Sequence, residues 1–187
     1  REKVLGPEHP YTATSLNNLA LLYRSMGDFT QAESLFRRVL KIRQKVLGPE
    51  HAFTVTSMNN LGLLYADKGH DAKAEPLLTK SMEIREKTMG ADHPDTARSL
   101  NDLALLYDRT QNYSQAEPLY QKALEARRKT LGSNHPETAM SLASLARHNH
   151  LLGKFSEADV FYEEALGIRK SVLGPNPPDT MKKLENL

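Results

Sequence analysis

Apolar positions in the first fifty residues fall into two runs of helical period. Leu16, Leu19, Ala20, Leu22 and Tyr23 follow one another at spacings that lay a stripe along one side of an α-helix, and this predicts a helix from about Pro10 to Met26. Ala32, Leu35, Phe36, Val39, Leu40 and Ile42 do the same for a second helix from Phe29 to about Leu47. Gly27 stands between them, the residue for which a left-handed helix end costs least. The predicted unit is a helical hairpin with a tight turn.

The pattern recurs without slipping. Leu5-Gly6, Leu47-Gly48, Met89-Gly90, Leu131-Gly132 and Leu173-Gly174 each lie 42 residues apart, and 20 of 42 positions agree between residues 6–47 and 48–89. The predicted organisation is a tail of a preceding repeat at 1–5, repeats at 6–47, 48–89, 90–131 and 132–173, and the start of a further repeat at 174–187, all in one continuous solenoid. Residues 1–5 match the end of a second helix (43–47) and residues 179–187 the opening of a first, so the array is expected to continue beyond both ends. Small residues recur where helices must approach closely: Ala20, Gly62, Ala104 and Ala146 in the first helix, and Ala32, Ala74, Ala116 and Ala158 in the second. Gly69 and Gly153 repeat the stop at Gly27, whereas the third repeat has Gln111 there. Pro10, Pro94 and Pro136 suit a first helical turn, and Pro76 and Pro118 fall near the start of a second helix. Such a hairpin cannot bury its apolar stripe alone, so the repeats are expected to stack and share one continuous core.

Three motifs carry a family resemblance. Ser15-Leu-Asn-Asn-Leu-Ala-Leu-Leu-Tyr23, Gln31-Ala-Glu-Ser-Leu-Phe36 and Lys45-Val-Leu-Gly-Pro-Glu-His51 resemble tetratricopeptide repeats of the 42-residue kinesin light chain and nephrocystin type. The resemblance implies an all-α, right-handed superhelical solenoid of antiparallel helix pairs. It implies further that the first helices line a concave groove receiving an extended peptide or a helix of a partner protein.

Composition narrows the function classes. With 39% hydrophobic and 26% charged residues the chain is expected to fold, and a formal net charge of +2 without long runs of one sign points to neither nucleic acid nor membrane as partner. Cysteine is absent, which removes disulfides and thiolate chemistry and fits a reducing, cytoplasmic setting. No cofactor or metal is expected. His9, His51, His93 and His135 recur once per repeat where a first helix begins, too far apart to share an ion, and read as helix-start residues. His148 and His150, two apart on one helix, point away from each other. The glycine loops lack the lysine and hydroxyl of a phosphate-binding loop, and no catalytic constellation stands outside the repeat pattern, so no enzyme is expected.

The candidate residues are therefore those of the groove. Asn17, Asn59 and Asn101 recur on first helices and, by the resemblance, face the groove, where an amide can hold the backbone of an extended peptide; they can equally serve hydrogen bonds between helices. Leu21, Leu63 and Leu105 lie four residues on and form either apolar pockets between the amides or part of the core. The fourth repeat departs from the pattern with Ala143, Ser144, Arg147, His148 and Asn149. Arg147, joined by Arg24, Arg98 and Arg109 and offset by Asp67, Asp102 and Asp108, favours an acidic ligand. The series Arg43, Arg85, Arg127 and Arg169, and Glu33, Glu75, Glu117 and Asp159, lie ten residues apart on second helices and are expected to be structural contacts between repeats. The leading expectation is a scaffold binding a linear peptide; the alternative is a structural or regulatory solenoid that packs within a larger protein or self-associates. The oligomeric state stays open.

Overall fold

The computed structural model describes Val4 and residues 6–173, and these form eight α-helices with no strand among the described residues. In chain order they are α1 (Pro10–Ser25), α2 (Phe29–Leu47), α3 (Ala52–Asp67), α4 (Asp71–Met89), α5 (Pro94–Arg109), α6 (Tyr113–Leu131), α7 (Pro136–Leu151) and α8 (Phe155–Leu173). First helices have 16 residues and second helices 19, in every repeat. The expected tail at 1–5, Val4 apart, and the expected start at 174–187 lie outside the described residues.

Each hairpin is built from local signals. His9, His51, His93 and His135 are the N-cap residues of α1, α3, α5 and α7, and each ring Nδ1 accepts a hydrogen bond from the backbone N–H two residues on, at 3.1–3.2 Å. That satisfies one of the donors a helix start leaves open. Just inside the helix, Thr12, Thr96 and Thr138 donate to the carbonyls of Gly6, Gly90 and Gly132, six residues upstream, tying the return loop to the helix it precedes. Between the helices of a pair, Gly27, Gly69 and Gly153 have φ between 73° and 78°, and Gln111 is held at φ 61° in the third repeat. Gln111 thus occupies a left-handed turn built for glycine. Pro76 and Pro118 fall near the start of their helices, each as the sixth residue, past the first turn, so each removes one backbone hydrogen bond without ending the helix.

The contacts divide the chain into two compact units, meeting between Thr88 and Met89. In the first, Ala13, Val39 and Ile42 pack with Leu16, and Val55, Met58 and Ile84 with Leu40 and Leu77. In the second, Ala104, Tyr120, Leu124, Leu142, Leu145 and Ile168 form the centre of one cluster. The small residues sit where expected: Ala20, Ala104 and Ala146 are fully buried, and the side of Gly62 faces Leu78 so closely that a Cβ there would lie 2.9 Å from Leu78 Cγ and Cδ2. Leu19 and Leu22 depart from the expected apolar stripe, for they are 39% and 54% exposed whereas Leu61 and Leu64 on α3, where α2 packs, are 5% and 0% exposed. This row serves the junction between repeats rather than the inside of a hairpin.

Two charged series also serve that junction. The guanidinium of Arg43, on α2, is buried and donates to Phe53 O at 3.0 Å and Ser57 Oγ at 2.8 Å on α3. Arg127, on α6, repeats this toward Ser141 Oγ on α7 at 2.6 Å. Desolvation lowers the pKa of both guanidiniums from the usual arginine value, and Glu137 opposes the shift at Arg127. Glu33, on α2, accepts from Tyr65 of α3 and from Lys68, which caps its end, and Glu117, on α6, faces Lys154, in the turn after α7, at 4.0 Å. In each unit an arginine near the end of a second helix holds the next first helix, and an acid near the start of that second helix reaches the next hairpin.

Candidate functional site

In the second unit the first helices present matching faces. Arg98, Asn101, Asp102 and Leu105 follow one another at helical spacing on α5, and Met140, Ala143, Ser144 and Arg147 repeat the spacing on α7. Together with Arg127, Glu137 and Arg169 they line a cleft of about 540 Å³. That volume suits a few side chains of a ligand. Leu105, Met140 and Ala143 make its apolar floor. Four arginines face two acids, Asp102 and Glu137, so the cleft carries a surplus of positive charge.

The arginines are held to different degrees. Arg127 is 3% exposed and fixed by Ser141, with its Nε 3.5 Å from Glu137 Oε2. Arg98 lies 3.3 Å from Asp95 and 3.7 Å from Glu137 but is half exposed. Arg147 is also half exposed and leans inward, with Nη2 3.5 Å from the Tyr120 hydroxyl and 4.0 Å from Asp108 Oδ2. Arg24, in the first unit, is engaged by Asp67 at 2.5 Å. Arg109 is exposed but does not line the cleft. Asp108, expected to offset surface charge, is instead buried.

The asparagine row does not form a uniform open ladder. Asn17 and Asn59 are 8% and 4% exposed, and their Oδ1 atoms already accept hydrogen bonds, from Asn60 Nδ2 and from Ser81 Oγ, each at 3.1 Å. Asn101 differs. It lines the cleft, and its buried Oδ1 has no hydrogen-bond partner among the described residues. The reason lies on the second helix: Ser81, which serves Asn59, is replaced at the equivalent position by Ala123. Of the leucine row, Leu105 lines the cleft, Leu21 is 38% exposed, and Leu63 is half-buried in the first unit.

Beneath the cleft lies a polar cluster that the sequence reading did not single out. His148 is fully buried, its Nδ1 2.6 Å from Asp108 Oδ1, while Asp108 Oδ2 accepts from the Tyr120 hydroxyl at 2.9 Å. Burial, more than the neighbouring Asp108, pushes the Tyr120 phenol far above its usual range, so it remains a donor. In the register of the repeat, His148 stands where Leu22, Leu64 and Leu106 stand, and Asp108 where Arg24, Ala66 and His150 stand. A histidine at a core leucine position was the available signal; its pairing with a residue 40 positions away was not visible. His150 is exposed, on the other side of α7 from His148.

The sequence matches the tetratricopeptide repeat family over residues 1–45, 18–87, 72–129 and 109–171. The chain belongs to that family, an α-solenoid fold of helix pairs that serves as a scaffold for protein–protein interaction. Its fold is similar to that of the nearly identical TPR-like repeats of a Podosopora anserina protein described as a "putative kinesin light chain". A variant of that protein aligns at 30% identity and TM-score 0.75 over 91% of this chain and 80% of that one; a second structure aligns at 29% and 0.72 over 92% and 82%. BtubC (BKLC) from P. vanneervenii shares the fold at 23% identity, TM-score 0.77, over 90% of this chain and 68% of that one. No curated protein matches the chain. Among the described residues no helix is long and apolar enough to cross a membrane.

Proposed function

We propose that this chain is a protein-interaction module that holds a linear segment of a partner in the cleft between α5 and α7. The observation that carries the reading is the coincidence, in one cleft, of an apolar floor, a surplus of arginine and one amide oxygen without a partner. An extended segment with an apolar side chain on Leu105 and Met140 and acidic residues beside it meets all three. Arg98 and Arg147, half exposed, select charge; Asn101 accepts a backbone N–H. Asn17 and Asn59 hold helices together, and Leu21, Leu63, Arg24 and Arg109 stand outside this cleft. The module acts without catalysis or cofactor, binds protein rather than nucleic acid or membrane, and resides in the cytoplasm.

A second reading, packing against another protein surface, is favoured by the exposed Tyr11 and Leu22 of α1 and Met26, which caps its end. Selection from a display library of short peptides separates the two. Enrichment of acidic peptides with one apolar residue, lost in N101A and weakened about three- to tenfold in R98Q/R147Q, supports the cleft. Enrichment of none, or of peptides indifferent to these variants, overturns it.

A further inference from the structure

Three buried polar atoms without a hydrogen-bond partner among the described residues belong to side chains that line the cleft: Asn101 Oδ1, Arg127 Nε and Glu137 Oε2. Folded chains leave few such atoms, and each needs a physical reason. At Asn101 the reason is Ala123, and in the reading above a ligand backbone meets the amide. The repeat register explains the other two. In the first unit the guanidinium of Arg43 lies 5.4 Å from the centre of the Phe53 ring, with its Nη2 3.5 Å from Thr14 Oγ1, and Arg85 Nη2 is 3.3 Å from Thr56 Oγ1. In the second unit Glu137 stands in place of Phe53, and Arg98 in place of Thr14 and Thr56. A ring and a hydroxyl acceptor have given way to a carboxylate and a second cation. Arg127 is 3% exposed and donates from Nη1 to Ser141, whereas its Nε and Glu137 Oε2, 3.5 Å apart, do not complete a hydrogen bond.

A donor and an acceptor side by side in the wall of a cleft restrict what can meet both. A carboxylate satisfies Arg127 and is repelled by Glu137; an ammonium does the reverse. A backbone peptide is trans, with N–H and C=O on opposite edges, and meets only one of them. A single hydroxyl oxygen about 2.8 Å from each atom would hold them at an angle of about 77°, too narrow for its proton and lone-pair directions. A primary carboxamide carries an N–H and a C=O on one edge, two atoms to meet two. We infer that Arg127 Nε and Glu137 Oε2 form a socket for the carboxamide of a glutamine or asparagine side chain, inserted beside the apolar residue on Leu105 and Met140. Both socket atoms lie beneath the surface, so a side chain reaches them where a backbone laid across the cleft does not. Arg98, half exposed and 3.7 Å from Glu137 Oε1, is the wall that yields to it. The place of this side chain in a peptide rests on the cleft reading above; the preference of the socket for a carboxamide does not.

The test has one arm without a peptide. The Arg127 Nε–Hε signal is followed by NMR while propionamide, propionate, propylammonium or propanol is titrated into the native chain. A saturating shift is expected with propionamide, and a response about tenfold weaker or none with the other three. The propionamide shift is expected to vanish in E137F, which restores the phenylalanine of the first unit; should E137F fold poorly, the comparison of the four probes in the native chain decides alone. No shift with propionamide, or an equal shift with any other probe, overturns the inference. In the second arm, labelled peptides Glu-X-Glu-Leu-Glu-X-Glu, blocked as N-acetyl and C-terminal methylamide so that only X can supply a primary amide, are compared by anisotropy. With X as glutamine the peptide is expected to bind about tenfold more tightly than with X as glutamate or alanine. Charge alone favours glutamate, since the cleft carries a surplus of arginine, so the expected order is opposite to a purely electrostatic one. In E137F the order is expected to revert to glutamate first. Tighter binding of the glutamate peptide by the native chain overturns the inference. Absence of binding by all three peptides instead counts against the cleft reading, and the NMR arm then decides the socket.

Discussion

Replacing Gly62 by alanine is a stringent test of the packing. Alanine stands at the equivalent position in the other three repeats, and helix propensity alone makes Gly62→Ala stabilising by about 1 kcal/mol. The structure reverses the sign. A Cβ at Gly62 lies 2.9 Å from Leu78 Cγ and Cδ2 and 3.3 Å from Leu77 Cβ, and Leu78 is 1% exposed, so its side chain has no space to withdraw into. Overpacking of this kind costs about 1–3 kcal/mol. The net expectation is a loss of about 1 kcal/mol, or about 2–4 °C in Tm for a chain of this size. The repeats with alanine carry an aromatic ring opposite, Phe36, Tyr120 and Tyr162, where this one has Leu78. A flat ring turns its face to a methyl group that a branched leucine cannot accommodate. The double substitution G62A/L78F therefore recovers most of the loss. Urea denaturation with circular dichroism reads the midpoints of native chain, G62A and the pair. A G62A midpoint above that of the native chain would refute the close approach of α3 to α4.

Two further outcomes follow from single positions. Gln111→Gly relieves a left-handed residue at φ 61° and is expected to raise stability by about 1 kcal/mol, measured by the same denaturation. Glu33 is held below the usual carboxylate value of 4.5, chiefly by the hydrogen bond from Lys68, with Tyr65 and Arg37 adding to it. A carboxylate lowered in the folded state contributes stability above its ordinary value and loses it as pH falls through the lowered one. The stability gap between the native chain and E33Q is thus present at pH 7 and closes below about pH 4.5; a gap unchanged down to pH 3 contradicts this.

Much of the architecture was legible because it is set by contacts close in sequence. The 42-residue period, the first helix to within one residue of its end, the turn at Gly27 and its strained substitute at Gln111 all depend on neighbours within a helical turn. The histidines that begin first helices belong to the same class, since the bond each makes spans two residues. The contacts that Arg43, Arg127 and Glu33 make were expected as structural, but their partners on the next helix were not legible, nor that Arg127 and Arg169 also line the cleft.

The sequence by itself determined the helical hairpins and the period at which they recur, because helix periodicity, turn conformation and capping are local and repeat with the residues that cause them. Only the tertiary structure decided which equivalent positions are equivalent in environment. Asn59 and Asn101 share a register, yet Ser81 satisfies one and Ala123 leaves the other open; Leu61 is buried where Leu19 is exposed; and His148 is tolerated in a core because Asp108, one repeat earlier, faces it. Each difference arises from a partner some twenty to forty residues away, brought within hydrogen-bond or van der Waals range only when helices pack, and the chemistry of the cleft lies in those differences.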